Sequence, residues 1–315
     1  VLIRVGVIGV GALGRHHARL YRQCSQAQLV GVYDLQAEAR EQVAADLGVR
    51  AFPSMEELLR EVDAVSLATP TDLHHAMGME ILASNRHLLI EKPITVLPEE
   101  AEQLIAMAKS AHLVLQVGHV ERFNPVICAF ESRLTNPRFI EAHRMAAYPP
   151  PRPGARPRGT EVGVVLDLMI HDIDIVLHLV SSEVSSVDAI GIPVLSAHED
   201  IANARIRFEN GCVANLTASR VSPDPMRKIR IFEPNCYVSL DYAQKGAEIF
   251  RKKVDGIERE HIAIEDHNAL LVQLEHFLSI VASAMSGQGV FLPRVPGEHG
   301  LRALRLATRI REQFS

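Results

Sequence analysis

Apolar residues fall in two rhythms along the chain. Up to about residue 122, short apolar runs rich in β-branched residues alternate with helical stretches. The runs fall at 3–8, 29–33, 51–52, 63–68, 87–90 and 113–117. Continuous apolar runs of this length predict strands buried on both faces. Between them, helices are predicted over 15–24, 37–47, 55–61, 72–84 and 98–110. Gly48 closes the second of these. Ser54 with Glu57 forms a capping box for the third, and Glu99, Glu100 and Glu102 favour the first turn of the last. Strand alternating with helix in this way predicts a doubly wound parallel sheet. Ligands of such sheets sit at the carboxyl ends of the strands. Here those ends carry Gly9, Asp34, Thr69-Pro70, Glu91-Lys92-Pro93 and Gly118-His119.

The rhythm changes after Phe123. A helix over 124–134, a strand over 139–147, a Pro/Gly/Arg loop over 148–160 and a long helix over 162–180 come first. Strand-like runs follow at 184–190, 202–208, 212–220, 228–232 and 237–241, with the hairpin signal Asn210-Gly211 between two of them. Helices over 269–286 and 301–313 close the chain. Strands without intervening helices predict a largely antiparallel sheet. The fold class is therefore α/β: a Rossmann-type domain over 1–122, an α+β domain with an open sheet over 123–295, and a closing segment, 296–315, that packs back on the first domain.

The glycines sharpen the first domain. Gly9-Val10-Gly11-Ala12-Leu13-Gly14 is G-x-G-x-x-G, following a strand and leading into a helix. Gly9 makes the turn, Gly11 admits a pyrophosphate to the backbone, and Gly14 lets helix and strand approach. The helix N-terminus then faces the phosphates with free N–H groups. The second strand ends in Asp34, 20 residues beyond Gly14, placed to bind the adenosine ribose hydroxyls. Asp34 repels a 2′-phosphate, and no Arg follows it before Arg40, so NAD is expected over NADP.

Totals exclude other classes. The 315 residues carry a net charge of −5, and no global basic field is present for nucleic acid. No apolar run reaches the ~20 residues of a membrane span. The first strand begins at once, so no signal peptide is expected. Cys24, Cys128, Cys212 and Cys236 lie far apart without metal spacing, which suits reduced thiols in the cytoplasm.

Lys92, between a buried strand and Pro93, stands at the expected crevice and suits the stabilisation of an alkoxide as hydride leaves. On the long helix, Asp167 and His171 are spaced i, i+4, and Asp174 lies three beyond His171, so all three are expected on one face. Three readings fit that spacing: a general base oriented by carboxylates, a metal site, or a solvated acidic face. His74 and His75 open a helix past Thr69-Pro70. His119, Arg122 and Asn124 follow the sixth strand, where Arg122 suits a substrate clamp or a structural pair. Arg152, Arg156 and Arg158 lie in a loop without acids, and Arg144 adds a fourth Arg before Glu161. Such a loop is either simply solvated or suited to a diphosphate.

Together these motifs resemble the Gfo/Idh/MocA oxidoreductases. The resemblance spans nearly the whole chain: G-x-G-x-x-G, Ala68-Thr69-Pro70 with His74, Glu91-Lys92-Pro93, the run from Gly118 to Pro125, and Asp167-x-x-x-His171-x-x-Asp174. It implies NAD as cofactor, no metal, and Lys92 with His171 as the catalytic pair. The cofactor contacts are expected at Gly9, Gly11, Ala12, Leu13, Gly14, Asp34, Thr69, Pro70, His74, Glu91, Lys92 and His119. Asp167, Asp174, Arg122, Asn124, Arg152, Arg156 and Arg158 are expected on the substrate, with Asp174 supporting His171. Met169 departs from the Gly of many members and is expected to add bulk beside His171. The open sheet implies a homodimer or homotetramer. Within the family, the runs around His119 and His171 are most similar to members that oxidise the 3-hydroxyl of UDP-N-acetylglucosamine to a ketone, ahead of 3-amino sugars for lipid A. The alternatives are a dehydrogenase of inositol or another free polyol, and a dinucleotide sensor without turnover.

Overall fold

The computed structural model describes residues 2–150, 162–242, 246–264, 267–287 and 292–314. They form two compact units: 1–123 with 268–301, and 124–267 with 302–315.

In the first unit, strands β1 (Ile3–Ile8), β2 (Ala27–Tyr33), β3 (Arg50–Ala51), β4 (Ala64–Leu67), β5 (His87–Glu91) and β6 (Leu115–Gly118) form a parallel sheet in the order β3-β2-β1-β4-β5-β6. β1 pairs with both β2 and β4, so the order reverses at β1. A ligand crevice opens at such a switch point. Helices α1 (Ala12–Tyr21), α2 (Ala37–Leu47), α3 (Met55–Glu61), α4 (His74–Ala83) and α5 (Pro98–Ser110) connect the strands. α1 begins three residues before its expected start. Gly11 is extended and serves as N-cap, so the helix starts inside the glycine motif. The Ser54 cap forms, accepting Glu57 N–H at 3.2 Å, and Gly48 ends α2 in the left-handed region.

In the second unit, α6 (Pro125–Phe130) precedes strand β7 (Phe139–Met145), and a π-helical turn (Val165–Met169) leads into α7 (Ile170–Val180). Strands β8 (Val184–Ile192), β9 (Ile201–Phe208), β10 (Val213–Ser219), β11 (Met226–Glu233), β12 (Cys236–Asp241), β13 (Gly246–Lys253) and β14 (Gly256–Ile262) complete an eight-stranded sheet. Its order is β14-β13-β12-β11-β7-β10-β9-β8, with only the β7–β10 pairing parallel. Alternate residues face the core: Ile140 and Ala142 on β7, Ala204 and Ile206 on β9, Ile229 and Ile231 on β11. The β13–β14 hairpin is absent from the sequence expectation. β14 is exposed along nearly its whole length and mostly polar, so no apolar alternation announces it.

Two other boundaries differ from expectation. Helix α8 (Ala269–Met285) belongs to the first unit, where Leu274, Phe277, Leu278 and Val281 pack with Ile3, Val5 and Tyr21. The last helix, α9 (Gly297–Arg311), does not pack as a whole on the first unit. Its residues Ala303, Leu306, Ala307 and Ile310 join the second unit's core. An amphipathic helix shows in sequence that one face is buried, not which sheet buries it. No helix among the described residues is long and apolar enough to cross a membrane.

Candidate active site: a dinucleotide cradle and a histidine helix

The cradle grows from the end of β1. Gly9 has φ +80°, and a Cβ there would lie 2.8 Å from the backbone of Ala68, so glycine alone fits. Gly14 lets α1 close on the loop: a Cβ at 14 would collide with Gly9 O. Gly11 and Ala12 are exposed, with open space at Gly11. No side chain caps α1, and its first turn holds no acid. Its N–H groups thus remain available to a pyrophosphate. Leu13 is half-buried on the same turn.

Asp34 follows β2 beside this loop. Its Oδ2 accepts the Val10 N–H at 2.8 Å and Oδ1 the Gln36 N–H at 2.9 Å, so the carboxylate is pinned in place with lone pairs to spare. Arg40 donates to the Asp34 carbonyl at 3.2 Å. At the end of β4, the Thr69 hydroxyl is buried without a hydrogen-bond partner, and Pro70 is exposed. A buried unsatisfied hydroxyl, an uncapped helix and a glycine-lined backbone together fit a bound dinucleotide.

Lys92 follows β5 and is half-buried; its peptide bond to Pro93 is cis. Glu91 Oε2 accepts the Lys92 N–H at 3.3 Å, and the Glu91 carboxyl lies so close to Gly118 that a Cβ there would strike it. His74 is buried between two turns. Its Nδ1 stands 2.9 Å from Pro93 O and its Nε2 3.0 Å from Thr69 O. Burial lowers its proton affinity, against the pull of those two carbonyls. His74 therefore ties the β4 turn to the β5 turn. His75 lies outside this network and meets the Gln103 amide.

The residues after β6 are more enclosed than the sequence suggests. His119 is buried. Arg122 is only 2% exposed, with its guanidinium directed at Arg294 O at 3.4 Å, while Arg294 Nε donates to Arg122 O at 2.7 Å. In the second unit, Asn124 Oδ1 caps α6 by accepting the Val126 N–H at 3.0 Å.

The histidine helix belongs to the second unit. The expected α-helix over 162–180 begins instead as the π-helical turn, and only from Ile170 is the spacing α. A π turn winds more slowly than an α turn, so the i, i+4 relation of Asp167 to His171 is not that of a regular α-helix. Asp167 and His171 are half-buried and Asp174 is buried. Met169 does not stand as bulk in a pocket: it is fully buried in the apolar core with Ile170 and Ile173. Arg144 forms a buried bidentate pair with Asp172, both bonds 2.9 Å. Arg152, Arg156 and Arg158 lie outside the described residues. No group of three or more His, Cys, Asp or Glu suited to a metal occurs among the described residues.

Sequence reasoning passed over His17, Arg220 and Asp200. His17 lies three residues beyond Gly14 on the buried face of α1, with Ala18 and Tyr21, a helical spacing that marks it as interior. Asp200 and Arg220 are separated by a β-hairpin, so nothing in the local pattern pairs them. Arg220 Nε donates to Asp200 Oδ1 at 2.7 Å, and Arg220 Nη1 reaches Val162 O at 2.8 Å, ahead of the π turn. Burial alone would raise the Asp200 carboxyl. Arg220 and the backbone N–H groups of Val194, Leu195 and Ser196 instead hold it far below the usual range.

Residues 3–119 match the GFO/IDH/MocA oxidoreductase family model with its NAD-binding Rossmann fold, and 131–237 match the GFO/IDH/MocA C-terminal domain. The chain is 40% identical over 308 residues to UDP-N-acetylglucosamine 3-dehydrogenase of Acidithiobacillus ferrooxidans, covering 96% of this chain and 95% of that one. A solved structure of that enzyme superposes with a TM-score of 0.92 at 39% identity, covering 100% of this chain and 98% of the other. The chain is also 30% identical to an NAD-dependent scyllo-inositol 2-dehydrogenase of Bacillus subtilis, over 70% of this chain and 68% of that protein. Both units and the cradle between Gly9 and Asp34 place the chain in the Gfo/Idh/MocA family of oxidoreductases.

Proposed function

We propose that the chain oxidises the 3-hydroxyl of UDP-N-acetylglucosamine to a ketone, with NAD as hydride acceptor. The observation that carries this reading is similarity to the Acidithiobacillus enzyme along both units, at 40% identity over 96% of the chain. Bound NAD would supply the hydride acceptor; the glycine loop and α1 would hold its pyrophosphate, and Asp34 its adenosine ribose. His171 removes the hydroxyl proton, and the Lys92 ammonium steadies the developing oxyanion. Asp167 lines the sugar site, and Asp174 supports His171. This work belongs to the cytoplasm, where the buried thiols of Cys24 and Cys212 stay reduced.

We also propose self-association as a homodimer or homotetramer through the sheet face opposite the core. Phe139, Phe232, Tyr237 and Phe250 neighbour one another there on successive strands, and all four are half-buried. A light-scattering mass equal to one chain removes that part of the reading.

The deciding experiment follows NADH absorbance after mixing protein, NAD and UDP-N-acetylglucosamine, with a 2-oxo acid acceptor in parallel should the cofactor stay bound. A 3-keto product by mass spectrometry establishes the substrate. Turnover of inositols alone transfers the same chemistry to a free polyol, the substrate class of the Bacillus relative. Tight NAD binding without turnover of any sugar points to a sensor. His171→Ala is expected to lower kcat by orders of magnitude and leave NAD affinity nearly unchanged; lost NAD binding instead makes His171 structural.

A further inference from the structure

Beneath the Lys92 turn runs a buried line of polar groups that the proposed chemistry does not use. Tyr21 Oη lies 2.7 Å from Ser66 Oγ, and Ser66 Oγ lies 3.2 Å from His17 Nδ1. His17 Nε2 stands 3.2 Å from Glu91 Oε1, a contact not aligned as a hydrogen bond. Glu91 Oε2 then accepts the Lys92 N–H. Tyr21, Ser66 and His17 are fully buried and Glu91 is 6% exposed. The line crosses from α1 through β4 to the end of β5.

The Tyr21 phenol and the Ser66 hydroxyl share a hydrogen bond, Ser66 faces His17 Nδ1, and His17 Nε2 faces the Glu91 carboxyl. Burial drives that phenol's proton loss far up, so it remains a donor. At the far end one Glu91 oxygen faces the ring and the other accepts the Lys92 N–H, and the carboxyl lies against Gly118. Buried polar groups of this kind add little net stability over apolar side chains of similar volume, and this line ends on the amide of Lys92.

We propose that His17 is a positioning residue that acts through Glu91 to set the Glu91-Lys92-Pro93 turn and so the aim of the Lys92 ammonium. The inference rests on Lys92 acting as proposed above. His74 holds the same turn from its other side, at Pro93 O. The turn is thus fixed at one side by a carboxylate and at the other by an imidazole. The glycine loop and Asp34, the main anchors of the dinucleotide, lie outside this turn.

Two substitutions at one position separate the ring nitrogens. In His17→Asn the amide reaches the Nδ1 position and meets Ser66. In His17→Gln it reaches the Nε2 position and meets Glu91. His17→Asn is expected to lower kcat by ~10- to 100-fold, as small misplacements of a reacting group do. NAD affinity by calorimetry should stay within about threefold, the signature of lost transition-state rather than ground-state contact. His17→Gln should recover most of the rate. Added to Lys92→Met, His17→Asn should cost nothing further, because both act through the same ammonium.

Equal activity of the Asn and Gln variants overturns the inference, as does a rate loss that follows NAD affinity or one that adds in full to Lys92→Met. Full activity of Lys92→Met alone sinks the proposed role of Lys92 and is visible separately. Crystal structures of the two variants give a readout without any substrate. The Glu91 carboxyl should leave the Lys92 N–H in the Asn variant and keep it in the Gln variant; an unmoved carboxyl in both overturns the inference.

Discussion

The two units bury polar groups with different emphasis. The first buries imidazoles: His17, His74 and His87 are each at most 8% exposed. His87 Nδ1 accepts the Val114 N–H at 3.0 Å, and His276 Nε2 accepts the Arg294 N–H at 2.9 Å. Both rings must be neutral at those atoms, and burial lowers the proton affinity of both. The second unit buries full charges as arginine–carboxylate pairs, Arg144 with Asp172 and Arg220 with Asp200. A neutral ring costs little to bury and can serve as an acceptor. A charge is tolerated only beside its partner. The first unit thus carries much of its interior polarity on imidazole rings, beside the buried Glu91, Glu121 and Arg122, and the unit with the histidine helix anchors its connections with ion pairs.

The largest expected effect comes from breaking one of those pairs. Arg220→Met leaves Asp200 buried without its cation and should destabilise the second unit by ~3–5 kcal/mol in a urea melt. The Arg144–Asp172 pair supplies the control: Arg144→Met alone should be destabilising, and Arg144→Met with Asp172→Leu nearly neutral. If that double variant melts as early as the single, the pair does more than satisfy its own charges.

Acid sharpens the comparison next. His74, His87 and His276 bind protons less readily in the fold than in the unfolded chain. Their contribution is complete above the ordinary histidine value of about 6.5 and drains as pH falls through it toward the lowered folded values. Asp200 is held low, so its contribution persists down through the ordinary carboxylate value of about 3.9 and is lost only below it. Hydrogen exchange between about pH 7 and about pH 5 should therefore show protection falling in the first unit while the second holds. Equal loss in both units breaks the contrast.

Gly14→Ala follows in size. Its Cβ would collide with Gly9 O, so the loop must shift, at a cost of ~1–3 kcal/mol and with weaker NAD binding. Undiminished NAD affinity would show that the cradle tolerates a displaced helix. The smallest effect is at Gln273, fully buried on α8 with no partner for either amide atom among the described residues. Gln273→Leu should be neutral or stabilising by ~1 kcal/mol. Clear destabilisation would instead point to an ordered water on that amide.

The parallel sheet was legible in the sequence because its central strands β1, β4, β5 and β6 are buried on both faces and read as apolar runs. The glycine cradle was legible because Gly9 and Gly14 answer to local backbone geometry, a positive φ and a close approach. The eight-stranded sheet was legible only in part. Strands that face the core on one side alternate visibly, whereas the exposed edge at β14 has no core to impose a pattern. The helix over 162–180 was expected as regular α because helical periodicity does not register one added residue in a turn. The π turn before Ile170 appears only once the chain is folded.

What the sequence by itself determined is therefore what is encoded within a few residues: strand and helix period, turn glycines, caps, and the motif that carries Lys92 and His171. Tertiary structure alone decided which sheet buries α8, why Met169 is core, that Arg144 is bound to Asp172, and that His17 meets Glu91. These pairings join residues dozens of positions apart. Their energy comes from excluding water around both partners at once, and neither partner's neighbours in sequence record that.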